Sequence, residues 1–181
     1  VSGEWLIPGY DSDGLLKQLY RYAPLTPGGR YVAMLPKDGD HYLHGMATWD
    51  PNATTVYVCE GPFDGMAFWE VLGRARSGAD PSNGRAVTGE RSTSLAAGCN
   101  VIAVPGANSF VDHWRKPLAG KEVVLLYDSD HPVEANGRRR HGAGYEGMKR
   151  VTQQLAGAEN PPSSVRYLHW GDDGFDPEYP S

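Results

Sequence analysis

Residues 54–64 read TTVYVCEGPFD, and residues 123–130 read VVLLYDSD. Each stretch is a continuous run of β-branched, aliphatic and aromatic residues that ends in carboxylates. Such apolar runs are typical of strands buried on both faces, as in a parallel sheet. After the first run, apolar residues including Met66 recur at helical spacing and Gly73 offers a stop, which predicts a helix over residues 64–72.

The alternation of strands and helices continues downstream. Predicted strands cover residues 101–104, 123–127 and 165–168, and a predicted helix over 145–155 places Met148, Val151 and Leu155 on one face. A shorter helix candidate ends at Trp114. Residues 74–98, rich in Gly, Ser and Arg, predict a long mobile connection with a short helix at 92–97. Together these elements favour a Rossmann-like α/β fold, a parallel sheet flanked by helices with right-handed crossovers.

The first fifty residues have a different pattern. Short apolar runs alternate with turn signals, which predicts an antiparallel meander of about four strands. The pattern changes after Asp50-Pro51-Asn52. We therefore expect a small β-rich subdomain over 1–52, an α/β domain over 53–170, and a tail over 171–181 that leads into a further segment.

Composition narrows the class of protein. Hydrophobic residues make up 40% of the 181 residues and charged residues 22%, which is ordinary for a globular chain. No apolar run approaches the roughly 18 residues that span a bilayer, and no signal sequence is evident, so a cytoplasmic protein is expected. Cys59 and Cys99 are predicted to be buried thiols rather than a disulfide or part of a zinc site. The net charge of −5 does not exclude nucleic acid, because basic patches can coexist with clustered carboxylates.

The carboxylates at the strand ends form the candidate site. Glu60-Gly61 ends the first strand, Asp64 begins the next helix, and Asp128-Ser129-Asp130 ends the third strand. The carboxyl ends of parallel strands meet at one edge of the sheet, where ligands bind. Gly61 is expected to leave room beside Glu60, and residues two apart in an extended segment point the same way. The cluster predicts a hard divalent cation, Mg²⁺ with Mn²⁺ as a substitute.

A strand ending in Glu-Gly-x-x-Asp, followed later by a strand ending in Asp-x-Asp, resembles the Toprim domain. This domain is shared by bacterial and phage primases, type IA and II topoisomerases, OLD-type nucleases and recombination-repair proteins. The resemblance covers about residues 54–168, and Val104-Pro105-Gly106-Ala107 is similar to a strand and turn in phage primases. The amino-terminal meander, with Asp11-Ser12-Asp13-Gly14 and then 15–22, is similar to the small subdomain that precedes Toprim in those primases.

The resemblance implies the catalytic core of a DNA primase, with Mg²⁺-dependent synthesis of RNA primers on single-stranded DNA from nucleoside triphosphates. It implies that Glu60, Asp64, Asp128 and Asp130 are catalytic, that Glu60, Asp128 and Asp130 bind metal, and that Glu60 serves as general base. No cysteine-rich module and no G-x-x-x-x-G-K-[ST] loop is present. A helicase domain or subunit is therefore expected outside this chain, in a bacterial or phage-infected cell.

The chain departs from the primase pattern at two places. Residues 132–141, with three consecutive arginines, are inserted as a basic loop before Gly142-Ala143-Gly144. A further downstream carboxylate would have to come from Asp172, Asp173 or Asp176, and these cannot be aligned securely.

Seven basic residues are candidates for contacts with nucleic acid or nucleotide phosphates: Lys17, Arg21, Arg30, Lys37, Arg138, Arg139 and Arg140. Individually, each is also compatible with an ordinary surface charge. The arginine triplet is the strongest candidate, because adjacent guanidinium groups beside an acidic site can clamp an anion.

Several alternatives stay open at the level of sequence. An OLD-type nuclease would use the same carboxylates to activate water, and a topoisomerase would need a nucleophilic tyrosine that no pattern singles out. A Toprim fold that keeps its acids for structure would be a DNA-binding scaffold without catalysis. An acidic phosphoacceptor domain would not usually carry the meander.

Overall fold

A computed structural model describes residues 4–23, 30–35, 42–77, 98–128, 133–135, 138–140 and 142–168. The strands in chain order are β1 Trp5–Tyr10, β2 Leu16–Ala23, β3 Arg30–Leu35, β4 Thr55–Cys59, β5 Cys99–Ala103, β6 Glu122–Leu126, β7 Val133–Ala135, β8 Arg138–Arg140 and β9 Ser164–Tyr167. The α-helices are α1 Pro62–Ser77 and α2 Ala143–Ala156, and short 3₁₀ segments cover Met46–Thr48 and Asp112–Leu118. In the described part of the chain, no helix is both long and apolar enough to cross a membrane.

The predicted parallel sheet is confirmed. Its four strands lie in the order β5-β4-β6-β9, and every neighbouring pair is parallel. The first strand in sequence, β4, therefore lies between the second and the third. The strand order reverses between β4 and β6, which is where open α/β sheets form a crevice for ligands.

The two faces of this sheet are covered by different elements. Val56, Val58, Val123 and Leu125 are fully buried in a core that also contains residues of α2 and of Asp112–Leu118. On the opposite face, Cys59, Val101 and Ala103 pack against Phe68, Trp69 and Leu72 of α1. This alternation follows from the two-residue period of a strand, and each fully buried Val or Leu contributes about 1.5–3 kcal/mol.

Helix α1 differs from its prediction at both ends. It begins at Pro62, because a proline is well tolerated in the first turn of a helix, and it continues past Gly73 to Ser77. A glycine inside a helix costs roughly 1 kcal/mol but does not by itself end the helix. Gly65 is buried while Met66 is exposed, so the buried face of α1 is rotated from the predicted one.

Helix α2 confirms the predicted helix at 145–155, with Met148, Val151 and Leu155 buried. The candidate helix that was predicted to end at Trp114 is instead the 3₁₀ segment Asp112–Leu118, in which Trp114 and Leu118 are buried.

The amino-terminal part forms an antiparallel sheet in the order β1-β2-β3. The fourth run of the predicted meander, residues 42–46, is not a strand but makes two isolated bridges. Leu43 pairs with Tyr10 of β1, and His44 pairs with Ala103 of β5. Leu43 and Met46 are buried in the core of the parallel sheet. Residues 43–44 thus connect the two sheets through backbone hydrogen bonds.

The basic insertion was predicted to be a loop and is a β-hairpin. β7 and β8 pair antiparallel, with Glu134 opposite Arg139. The short helix predicted at 92–97 and the tail at 171–181, with Asp172, Asp173 and Asp176, lie outside the described residues, as do Lys37 and Asp130.

Candidate acidic site at the carboxyl edge of the sheet

Glu60 and Asp128 meet at the reversal between β4 and β6. The Glu60 N–H donates to the Leu126 carbonyl oxygen at 3.2 Å, which continues the pairing of these strands by one residue. The Asp128 N–H then donates to Glu60 Oε2 at 3.1 Å. The structure therefore brings together two of the four predicted acids, each at the end of its strand. The bond holds the Glu60 carboxylate at the edge of the sheet in one orientation.

Gly144, in the first turn of α2, packs against both residues. A Cβ atom at this position would lie 2.8 Å from Glu60 Oε2 and would overlap the carbonyl oxygen of Asp128. After the inserted hairpin, the chain thus returns to the acidic edge at Gly144. Only glycine fits at this contact. The Gly142-Ala143-Gly144 sequence was noted as the end of an insertion, and its contact with Glu60 was not predicted.

Arg150 is a second residue that sequence reasoning missed. Its guanidinium donates from Nη2 to the Ala107 carbonyl oxygen at 2.8 Å and from Nη1 to Asn108 Oδ1 at 2.9 Å. These bonds attach α2 to the loop that follows β5, and the close approach of Gly147 to Ala107 makes the contact possible. Arg150 lies one turn along α2 from Glu146 and Gly147, a position that the sequence alone does not link to the strand ends.

Arg150 and Glu60 both act on the buried hydroxyl of Tyr127. Burial raises the pKa of Tyr127 above its ordinary value, the charge of Glu60 raises the pKa further, and the charge of Arg150 lowers it. The negative charge of Glu60 and the positive charge of Arg150 thus both act on Tyr127, which directly precedes Asp128 in the chain. The carboxyl edge therefore carries a fixed positive charge as well as negative ones.

Asp64 lies exposed in the first turn of α1, where the helix dipole favours a carboxylate. A Cβ atom on Gly61 would lie 2.6 Å from Asp64 Oδ2. Gly61 was expected to make room for Glu60, and in the structure it makes room for Asp64. Burial, followed by the charge of Asp64, raises the pKa of Cys59 to about 12. Cys59 and Cys99 are free and buried, as predicted, and the Cys59 thiol stays protonated.

The residues at the edge fit a hard cation by their chemistry. Glu60 and Asp128 offer carboxylate oxygens, which Mg²⁺ prefers, and the lack of a side chain on Gly144 lets both residues lie against the first turn of α2. Among residues that the structure describes, no three Asp, Glu, His or Cys side chains lie close enough to hold one ion. Asp130 lies outside the described residues, so the complete site of four acids stays a prediction.

Six of the seven predicted basic residues lie in the described part of the chain, and they divide into two groups. Lys17 Nζ lies 3.3 Å from Asp11 Oδ2, and Arg21 Nη1 lies 3.3 Å from Glu4 Oε1, so both cations form exposed ion pairs. Arg30 belongs to β3, and Arg138, Arg139 and Arg140 make up β8. For these four residues, only the path of the backbone is described.

The fold and the site define an α/β protein with two acidic residues, Glu60 and Asp128, at the switch point of a parallel sheet. No protein-family model matches the chain, and neither a curated protein nor a solved structure was found to be similar to it.

Proposed function

We propose that this chain is the Toprim-type catalytic core of a DNA primase, which makes RNA primers on single-stranded DNA with Mg²⁺. The observation that supports it most is the Asp128 N–H bond to Glu60 at the switch point between β4 and β6. In this proposal the protein acts in the cytoplasm of a bacterial or phage-infected cell. Helicase activity comes from a domain or subunit beyond residues 1–181.

Glu60 and Asp128 would hold Mg²⁺, together with Asp130 and with Asp64 nearby. When bound, the ion supplies charge stabilisation to the attacking and leaving oxygens of a phosphoryl transfer. Glu60 would also accept the proton of a primer 3′-hydroxyl. The Asp128 N–H, which holds the Glu60 carboxylate at the edge, supports this role. Gly144 keeps a side chain out of the space beside Glu60.

Arg150 would act as a fixed positive charge toward nucleotide phosphates. Its two hydrogen bonds to Ala107 and Asn108 fix the guanidinium, so little conformational freedom is lost when an anion binds. The basic strand β8 adds three arginines in the segment between Asp128 and α2. These cations offset the repulsion between acids and the triphosphate.

The test is a gel assay with purified protein, a single-stranded DNA template, labelled ribonucleotides and Mg²⁺. We expect new short oligonucleotides in the wild type and a loss of at least about 100-fold in Glu60→Gln and Asp128→Asn. Glu122→Gln is the matched control, because Glu122 begins the strand that ends before Asp128 and pairs with Arg166 at the opposite edge. It should retain its activity.

Other outcomes would replace the proposal. Degradation of the template, lost in the same two variants, would identify a nuclease of the OLD type that uses the same carboxylates to activate water. Binding of the template with neither synthesis nor degradation, even when neighbouring segments and a helicase are supplied, would favour a DNA-binding scaffold.

A further inference from the structure

A cavity of about 190 Å³ lies beside α1, and neither Glu60 nor Asp128 lines it. It is lined by the first two turns of α1, the outer strand β5 and the turn that contains Gly45 and Thr48. Pockets for drug-sized ligands are usually roughly 300–1,000 Å³, so this one suits a smaller ligand, about the size of one fused ring system.

Glycines bring the walls of the cavity together. Gly45 has φ of 88°, and a Cβ atom there would overlap the Val101 carbonyl oxygen. A Cβ atom on Gly65 would lie 3.0 Å from the Cβ of Ala103. Because backbone approaches backbone at these points, Trp69 and Met66 of α1 form the side of the cavity. Met66 is 45% exposed, so the cavity opens to solvent.

A polar group at the rim of the cavity, the Thr48 hydroxyl, restricts which ligands can bind. The Thr48 hydroxyl donates its proton to the Gly45 carbonyl oxygen at 3.0 Å, and the same oxygen accepts the Thr48 N–H at 3.2 Å. With its proton used, the hydroxyl can offer a ligand only its lone pairs. The cavity therefore favours a largely apolar ligand that carries an N–H donor on its edge.

We propose that this cavity binds the adenine base of an adenine nucleotide, with the exocyclic amine donating to Thr48 Oγ1. Adenine combines a flat bicyclic ring, which packs against Trp69 and Met66, with the required donor. Pro62 and Gly65 line the cavity, and Asp64 lies between them on the same turn of α1. The base would thus bind at the end of α1 that carries Asp64. This inference rests on the proposed function, because a nucleotide is expected in the cavity only if the protein uses nucleotides as substrates.

The experiment is an NMR titration of the full chain with adenosine in EDTA. Saturable shifts are expected for the Trp69 indole N–H and the Met66 methyl group. Thr48→Val should weaken adenosine binding roughly fivefold, as expected for one hydrogen bond. Purine riboside, which lacks the amine, should bind the wild type roughly fivefold more weakly and should be unaffected by Thr48→Val.

Two further variants keep the test independent of folding. Met66→Trp should fill the cavity and abolish the shift at Trp69, and the exposed position of Met66 tolerates the larger ring. Val71→Ala is the matched control, because Val71 is 58% exposed on the same helix and does not line the cavity. It should bind adenosine like the wild type.

Three results would overturn the proposal: no saturable shift at millimolar adenosine, equal affinity for adenosine and purine riboside, or unchanged binding in Met66→Trp. Adenosine carries no phosphate and the assay contains no metal, so this outcome is separate from that of the primer assay. Asp128→Asn should lose primer synthesis and still bind adenosine. Failed adenosine binding together with intact primer synthesis would reject the base site alone.

Discussion

The parallel and antiparallel sheets differ sharply in how deeply their side chains are buried. In the parallel sheet, Val58 and Leu125 have 0% exposure, and helices or 3₁₀ segments cover both faces. In the antiparallel sheet, Leu6 is 60% exposed and Trp5 is 56% exposed. The antiparallel sheet therefore has much less apolar burial of its own to offset the entropy of folding.

The antiparallel sheet is stabilised instead by a small joint with the rest of the chain. His44 Nδ1 lies 2.7 Å from the Pro8 carbonyl oxygen, and its ring packs edge-on against Tyr20 at 5.0 Å between centroids. The Tyr42 N–H donates to the Tyr20 hydroxyl at 3.2 Å. A second contact joins Tyr22 to Phe63 of α1, whose ring centroids lie 4.5 Å apart. From this comparison we expect the parallel sheet to stay folded when the contacts of this joint are lost.

The largest effect is expected for Leu125→Ala in β6. Leu125 is fully buried between β4, β9 and α2, so its truncation leaves a cavity and should lower the free energy of unfolding by about 3 kcal/mol. Urea unfolding followed by circular dichroism measures this loss. Because the antiparallel sheet depends on the parallel one, both should unfold together.

Leu126→Ala is the control for that prediction. The neighbouring residue lies on the opposite, partly exposed face beside α1, and its truncation should cost about 1 kcal/mol. Equal losses in the two variants would show that depth of burial does not set how much a side chain stabilises the fold, and would remove the basis of the comparison between the sheets.

A second, pH-dependent effect is expected at the joint. Burial lowers the pKa of His44 from 6.5 to about 4, although the Pro8 carbonyl acts in the opposite direction. Above pH 6.5 the imidazole is neutral in folded and unfolded chains alike. Between pH 6.5 and 4 the unfolded chain binds a proton that the folded chain resists, so stability falls by on the order of 3 kcal/mol over that window.

Amide hydrogen exchange at a series of pH values measures this change. Protection in β1 and β2 should fall as the pH drops toward 4, before protection in β4 and β6 does. His44→Asn keeps an N–H donor and removes the titration, and so should flatten the pH dependence. His113→Asn, at an exposed position, is the control. Simultaneous loss of protection in both sheets would mean that His44 stabilises the whole chain rather than the joint.

The sequence predicted the strand ends well, because burial of both faces leaves a continuous apolar signature. The meeting of Glu60 and Asp128 followed from that signature and from parallel pairing. The contact of Gly144 with Glu60 and the hydrogen bonds of Arg150 to Ala107 and Asn108 could not be predicted, since both depend on how α2 packs after an insertion. The cavity likewise joins residues 44–48 to α1 and β5, which only the three-dimensional fold brings together.

The smallest effect is expected for Lys116→Met. Lys116 Nζ lies 2.7 Å from Asp13 Oδ1, which joins the 3₁₀ segment Asp112–Leu118 to the turn between β1 and β2. Both side chains are largely exposed, so solvent and salt screen the pair and ordering the lysine offsets its attraction. Exchange protection in β1 and β2 should change little, and raising the salt concentration should remove any difference from wild type. A loss as large as that produced by protonating His44 would place the stability of the joint in its surface charges rather than in its buried contacts.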